Sequence, residues 1–308
     1  GSRFDREIGS GDDRYYHLVL LAENNQGYAN LMKIVSKSFV EGFYYKPRVD
    51  LQLLEKYHEG LIALSACLAG EVARYLTRGM YEDAKAAALR YQDIFGKGNF
   101  FLELQDHGIP EQQNVNQQLL KMHRETGIEL VATNDVHYTL AEDAQPHDVL
   151  LCLQTGKKLS DENRMRYDGG QYYVKSPEEM ERLFPYATEA LENTHKIAQR
   201  CHVEIEFGVT KLPKFDVPQG YTSWEYLNEL CFKGLEERYQ PVTEELKERL
   251  NYELSTIKNM GYVDYFLIVW DFIRYARDHD IMVGPGRGSA AGSLVAYTLG
   301  ITQLDPIR

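Results

Sequence analysis

Up to about residue 205 the chain alternates short apolar runs of strand character with amphipathic runs of helix character, and no other feature limits the fold so tightly. Residues 15–22 (YYHLVLLA), 61–66, 99–105 (NFFLELQ) and 128–133 read as strands, each a brief apolar run. Residues 28–39, 70–94 and 112–126 carry the helical spacing. Ser176-Pro177-Glu178-Glu179 is a capping box with proline at the first helical position. It starts one helix, and a second is predicted over 188–201. Alternation of this kind predicts an α/β architecture.

The segment Lys211-Leu212-Pro213-Lys214-Phe215-Asp216-Val217-Pro218 breaks the rhythm, so a boundary near residue 206 divides the chain into domains 1–205 and 206–308. Beyond it, 224–239, 244–260 and 265–277 read as helices. A short strand over 281–283 is predicted to feed the run Gly284-Pro285-Gly286-Arg287-Gly288-Ser289-Ala290-Ala291-Gly292, followed by a helix over 289–299 stopped by Gly300. Bare glycine backbone and a helix N-terminus would suit an anion, and Arg287 adds a fixed positive charge. Three readings compete here. A Walker loop fails for want of its lysine. Gly286-x-Gly288-x-x-Ala291 fits the looser dinucleotide fingerprint, which needs an acidic residue some 20 positions on, at the end of a second strand. No such unit follows before Arg308. The plain alternative is a structural turn before a helix.

Ligand-type side chains recur in or just after the strand runs. His17 lies in the first, Cys67 follows the second, and Asp135 and His137 follow the fourth as Asn134-Asp135-Val136-His137. Side chains at strand ends converge on one rim in β/α folds. Asp-x-His puts a carboxylate and an imidazole on the same side of an extended segment, a reasonable pair of metal ligands. Taken singly, a histidine in an apolar strand is more often a hydrogen-bonded core residue, and a lone cysteine a small buried hydrophobe. His107, beside Glu103 and Asp106, is a further possible rim residue. His58, His123, His147, His195, His202 and His279 show no partner pattern.

Two blocks carry a resemblance. The text from Gly261 onward, GYVDYFLIVWDFIRYARDHDIMVGPGRGSAAGSLVAYTLGITQLDP, resembles the start of the palm domain of the bacterial replicative polymerases of the C family, the DNA polymerase III alpha subunits. Residues 15–201, with GFYYKPRVD, LSACLAGEVARYL and ATNDVHY, resemble the PHP (polymerase and histidinol phosphatase) domain that precedes the palm in the same family. The resemblance implies an α/β chain: an incomplete PHP-type distorted β/α barrel, then a mainly helical segment leading into the polymerase palm. It implies that Gly288 and Ser289, with Arg287, contact the triphosphate of an incoming nucleotide. It also implies a partial PHP metal cluster of His17, Cys67 (where other members carry histidine), Asp135 and His137, for a divalent ion such as Zn2+ or Mn2+.

In that family the palm's metal-binding aspartates lie downstream of the glycine motif, and the PHP cluster opens with a His-x-His strand, an Asp-His strand end and a further Glu. Neither set has a match in this sequence. Asp305, alone beside Pro306, reads as a turn residue. The expectation is a catalytically inactive piece of a polymerase whose parent uses Mg2+, deoxynucleoside triphosphates and primed DNA, and meets the sliding clamp and clamp loader through other parts. The enzymatic alternative is a metal-dependent PHP phosphoesterase or PHP-linked 3'-5' exonuclease; the other is a non-catalytic interaction module.

A net charge of −12 argues against a large DNA-binding face, though it permits one local basic site. Four cysteines at wide spacing (67, 152, 201 and 231) form neither a disulfide framework nor a Cys-x-x-Cys pattern. No apolar run reaches the roughly 18 residues of a membrane span. A polar N-terminus, unlike a signal peptide, completes the expectation of a cytoplasmic chain.

Overall fold

The computed structural model describes residues 1–7 and 15–307; residues 8–14 of the polar N-terminal stretch and Arg308 lie outside the described residues. Contacts divide the chain into two compact units, Gly1–Ile205 and Glu206–Arg308.

In the first unit the order is β1 (Val19–Ala22), α1 (Asn25–Val40), α2 (Leu51–Tyr57), β2 (Leu61–Leu64), α3 (Glu71–Thr77), α4 (Tyr81–Phe95), β3 (Phe100–Leu104), α5 (Pro110–Thr126), β4 (Leu130–Ala132), α6 (Ala144–Thr155), α7 (Pro177–Leu183) and α8 (Thr188–Arg200). Each strand falls inside an expected run. The helical stretch 70–94 is two helices, because Gly79 turns the chain with φ +73 between them. Two helices have no counterpart in the sequence reading. The first, α2, is a helix of about two turns started by the Asp50 carboxylate on the Leu53 amide. In the second, α6, Val149, Leu150 and Leu153 stay exposed, so the sequence shows no clean buried stripe.

The four strands form one sheet in the order β1-β2-β3-β4. Pairing of β2 with β3 and of β3 with β4 is parallel, as helical crossovers require. Strand β1 runs the other way, with Val19 opposite Leu64 and Ala22 opposite Leu61. Both faces are covered. Leu61, Ala63, Phe100, Leu102, Leu104, Leu130 and Ala132 point into a core closed by α3, α4 and α5, while Ile62, Leu64, Phe101 and Val131 point to a second core with Val19, Leu21 and Ile197 of α8. That period of two, apolar on both sides, is why β2 and β4 are unbroken apolar runs in the sequence and β3 is interrupted only by Glu103.

An ion pair fixes the start of the chain to this unit. The Arg3 guanidinium meets Asp50 at 3.0 Å and Glu41 at 2.7 Å, while Arg48 donates to the carbonyls of Arg3, Asp5 and Gly42. Burial works against the Asp50 charge, but hydrogen bonds from the Arg3 and Leu53 amides and the Arg3 guanidinium outweigh it and hold the carboxyl below its ordinary value of 3.8. A depressed folded-state value makes this contribution complete above the ordinary value and lost as pH falls through the folded one. Acid unfolding followed by circular dichroism is therefore expected to start at higher pH in wild type than its stability at neutral pH suggests, and Asp50→Asn should flatten that dependence. An unchanged acid limb in the variant would contradict the assignment.

The second unit packs α9 (Ser223–Arg238), α10 (Glu244–Asn259), α11 (Val263–Asp278) and α12 (Leu294–Thr298) around Leu227, Cys231, Leu235, Leu250, Leu254, Leu267, Leu294, Val295 and Leu299. Two expectations need correction. Residues 281–283 are not a strand: among the described residues no strand of this unit is present to pair with them, and Ile281 and Met282 are exposed. The helix expected over 289–299 begins only at Leu294. Before it, Gly288–Gly292 forms a 3-10 turn, and Ser293 caps the true helix by accepting from the Ala296 amide. Gly300 does end it, in the left-handed region at φ +72. Asp305 is a turn residue, accepting from the Ile307 amide and the Tyr239 hydroxyl.

Candidate functional site

The antiparallel direction of β1 shapes the rim of the first unit. It brings the N-terminal end of β1 beside the C-terminal ends of β2, β3 and β4, so His17, just before β1, stands over the loop that follows β2. The His17 amide donates to the Ala69 carbonyl, and Gly70 donates to Cys67. Gly70 is tightly enclosed, since a Cβ there would lie 2.2 Å from the Ser65 carbonyl oxygen. The result sets Cys67 Sγ 3.5 Å from His17 Nδ1. An open cleft of about 540 Å³ runs from this pair to Glu103, Gln105, Thr133 and Asp135.

Of the four residues expected as metal ligands, His17, Cys67 and Asp135 thus share one cleft, and His137 does not line it. Same-side projection of Asp135 and His137 requires an extended backbone. Asp135 instead sits in the left-handed region at φ +43, which breaks the alternation. The His137 ring turns toward Tyr167 (4.2 Å between centroids), His147 (5.9 Å) and Tyr172 (5.5 Å), with Nδ1 2.7 Å from the Asp135 carbonyl. His147, which has no partner pattern in the sequence, belongs to this cluster and also packs on Tyr138. His107 stacks on Tyr172 at 4.1 Å and donates from Nε2 to the Asn134 carbonyl at 2.8 Å, so it pins the loop that carries Asp135. Burial holds the His107 imidazole below its ordinary value, partly offset by that hydrogen bond. Asn134 is held from the other side by Lys175, whose ammonium donates to its side-chain oxygen at 3.1 Å.

Glu103 is the rim residue that sequence spacing underrated. It is 4% exposed. One carboxylate oxygen accepts from Thr133 and Gln105, while the other, Oε2, is buried with no partner. Apolar flanks in Leu102-Glu103-Leu104 hide this in the sequence, because a buried carboxylate and an edge carboxylate look alike there.

The described residues do not close a metal site. Among them, no three His, Cys, Asp or Glu side chains are grouped to hold an ion. Burial also pushes the Cys67 thiol up, and the nearby Asp135 charge adds to the shift. A metal-bound cysteine must be a thiolate, so an ion taken up here would have to displace the thiol proton.

In the second unit Arg287, Gly288 and Ser289 lie on one exposed turn. Gly286 (φ +133) and Gly288 (φ +58) adopt backbone conformations that a side chain disfavours. Among the described residues, the amides of Gly284, Gly286, Arg287, Gly288 and Ser289 donate to no other group. They are open to an acceptor from outside the turn. The α12 dipole does not serve them. Its first amides, Leu294 and Val295, donate to Glu253 of α10 at 3.1 and 3.0 Å, and the same carboxylate accepts from Ser293 Oγ and from Arg249. Arg249 also reaches the Gly292 carbonyl at 3.1 Å. Glu253 thus moors the C-terminal side of the glycine turn. Removing it strips a partner from four donors at once, so Glu253→Ala is expected to cost about 2–4 kcal/mol. A urea midpoint in the variant equal to that of wild type would refute the mooring role.

One family match falls in each unit: residues 3–107 match the PHP domain, and residues 225–308 match the bacterial DNA polymerase III alpha NTPase domain. The chain belongs to the DNA polymerase III alpha-subunit family. It is 49% identical over 308 residues to the DNA polymerase III subunit alpha of Treponema pallidum, covering all of this chain and 26% of that protein. The corresponding subunit of Borreliella burgdorferi is 50% identical over 295 residues, covering 95% of this chain and 26% of the relative. That of Thermus aquaticus is 41% identical over 368 aligned residues, covering all of this chain and 30% of the relative. The chain therefore spans about a quarter of the length of these relatives. No helix among the described residues is long and apolar enough to cross a membrane.

Proposed function

We propose that this chain is the PHP and early palm portion of a replicative DNA polymerase, and that its glycine turn grips the triphosphate of an incoming deoxynucleotide. The observation that carries the reading is the exposed run of unpartnered amides from Gly284 to Ser289, with Arg287 among them, in a segment matched by the polymerase family. Backbone amides and a guanidinium suit a polyphosphate whatever the base. The nucleotidyl transfer itself would need Mg2+ held by carboxylates. In this reading those carboxylates come from palm sequence beyond the glycine turn, and the 308-residue chain alone does not polymerise.

Primed DNA and deoxynucleoside triphosphates are the substrates this reading assigns to the longer polypeptide, with the sliding clamp and clamp loader as its replicase partners and the cytoplasm as its place of action. The PHP cleft belongs to a family that uses divalent metal. His17, Cys67, Asp135 and His137 are the residues proposed to contribute to a Zn2+ or Mn2+ cluster there, once further ligands join them.

The test is primer extension. A longer polypeptide that carries this chain should extend a primed template only with deoxynucleoside triphosphates that pair with the template, and the 308-residue chain should not extend it. Hydrolysis of a generic phosphate monoester with no primer extension by the longer polypeptide would replace this reading with that of a PHP phosphoesterase.

A further inference from the structure

A second basic feature adjoins the glycine turn. Arg238, in the last turn of α9, and Arg277, in the last turn of α11, converge on Gly300. A Cβ at Gly300 would lie 2.8 Å from Arg277 Nη1 and 3.6 Å from Arg238 Nη2. The bare backbone of Gly300, at φ +72, lets the Arg277 guanidinium lie directly against it with Arg238 in van der Waals range. Arg238 is fixed: its Nη2 donates to Gln303 Oε1 at 3.1 Å, and its guanidinium carbon lies 4.2 Å above the Tyr297 ring. Among the described residues, the Arg277 guanidinium makes no hydrogen bond or ion pair, and no carboxylate pairs with Arg238 either.

This arrangement is costly without a ligand. The chain has 46 acidic residues against 34 Lys and Arg, so acidic partners are in excess, yet these two cations face one another without one. Burial and the neighbouring Arg238 charge pull Arg277 below its ordinary value. A cation in the last turn of a helix gains about 0.3–1 kcal/mol from the helix dipole, which accounts for each arginine singly. It does not account for the convergence of both on one glycine. An anion between them would, because planar guanidinium forks match the oxygens of a phosphate.

Gln303 ties the pair to the glycine turn. Its amide donates to the Pro285 carbonyl at 2.8 Å, its side-chain nitrogen to the Gly300 carbonyl at 3.2 Å, and its side-chain oxygen accepts from Arg238. We propose that Arg238 and Arg277 form a phosphate-binding site of their own, next to the amides of the glycine turn, that takes a phosphate of a nucleic-acid backbone or of a free polyphosphate. The site goes beyond the nucleotide grip assigned to Arg287, Gly288 and Ser289, and stands or falls separately from it.

Two probes at low salt separate the sources: a fluorescein-labelled single-stranded oligodeoxynucleotide, read by anisotropy, and inorganic tripolyphosphate, read by calorimetry and thermal shift. Wild-type chain should bind at least one of them. Arg238→Gln with Arg277→Gln should weaken that binding about tenfold or more. Loss with the oligonucleotide alone assigns the site to nucleic-acid backbone, and loss with tripolyphosphate alone to a nucleotide. Arg287→Ala with Ser289→Ala should leave the arginine-dependent part in place, so failure of the nucleotide grip is distinguishable from failure of this site. Removing the like-charge contact should also raise the melting temperature of the unliganded Arg277→Gln chain, which guards against a folding defect being read as lost binding. If neither probe binds wild type, or if the double glutamine variant binds as wild type does, the proposal is wrong.

Discussion

Gly234→Ala should remove most of the stability of the unit 206–308. A Cβ on Gly234 would lie 2.0 Å from the Thr298 carbonyl oxygen and 2.7 Å from its carbon. Both are backbone atoms of α12, so no rotamer change relieves the overlap, and α9 and α12 must separate. Leu294, Val295 and Leu299 supply the α12 side of this unit's core, and all three would lose close packing. Overpacking of this kind costs about 3 kcal/mol or more, a large share of the roughly 5–15 kcal/mol that holds a domain folded. Gly284→Ala is the matched control. A Cβ there meets nothing within 4 Å, and the Gly284 φ lies outside the left-handed region. Chemical denaturation of both variants is the measurement: a Gly234→Ala chain with the wild-type midpoint would refute the close approach.

How much of this was legible from sequence differs by element. The four strands of the first unit were, because β2, β3 and β4 are buried on both faces and so appear as apolar runs, broken only by Glu103 in β3. The reversal of β1 was not. Strand–helix alternation implies parallel crossovers, and direction is decided by pairing partners that lie 40 and more residues away in Val19↔Leu64. That reversal is what brings His17 to Cys67. The Asp135–His137 spacing was visible, but the left-handed turn at Asp135 that separates their side chains was not, because aspartate tolerates that conformation without advertising it. At the glycine turn the sequence reading starts the helix at Ser289, whereas the observed cap is Ser293. The choice falls to Ser293 because Glu253, on another helix, accepts from its hydroxyl and from the two amides that follow. A partner so distant in sequence leaves no local signal.

That choice bears directly on the strongest functional prediction. With the α12 amides taken by Glu253, the turn itself offers a triphosphate its free amides, the Ser289 hydroxyl and the Arg287 guanidinium. The side chains then carry more of the binding than a helix dipole would have left to them. Hydrogen bonds to charged groups contribute about 1.5–3 kcal/mol each, so Arg287→Ala with Ser289→Ala should lower kcat/KM for nucleotide incorporation by about a thousandfold in the longer polypeptide. Both residues are exposed and neither carries core packing, so the melting temperature should stay near that of wild type. Arg287→Lys should recover part of the loss, since it restores the charge without the planar fork. Steady-state incorporation of a single nucleotide on a primed template measures all three variants. Full incorporation by the double alanine variant would show that the turn is a structural corner and that the triphosphate is held elsewhere. A rise confined to KM would place both groups in ground-state binding, and an equal fall in kcat and kcat/KM would place them on the charge that develops as the phosphoryl group transfers.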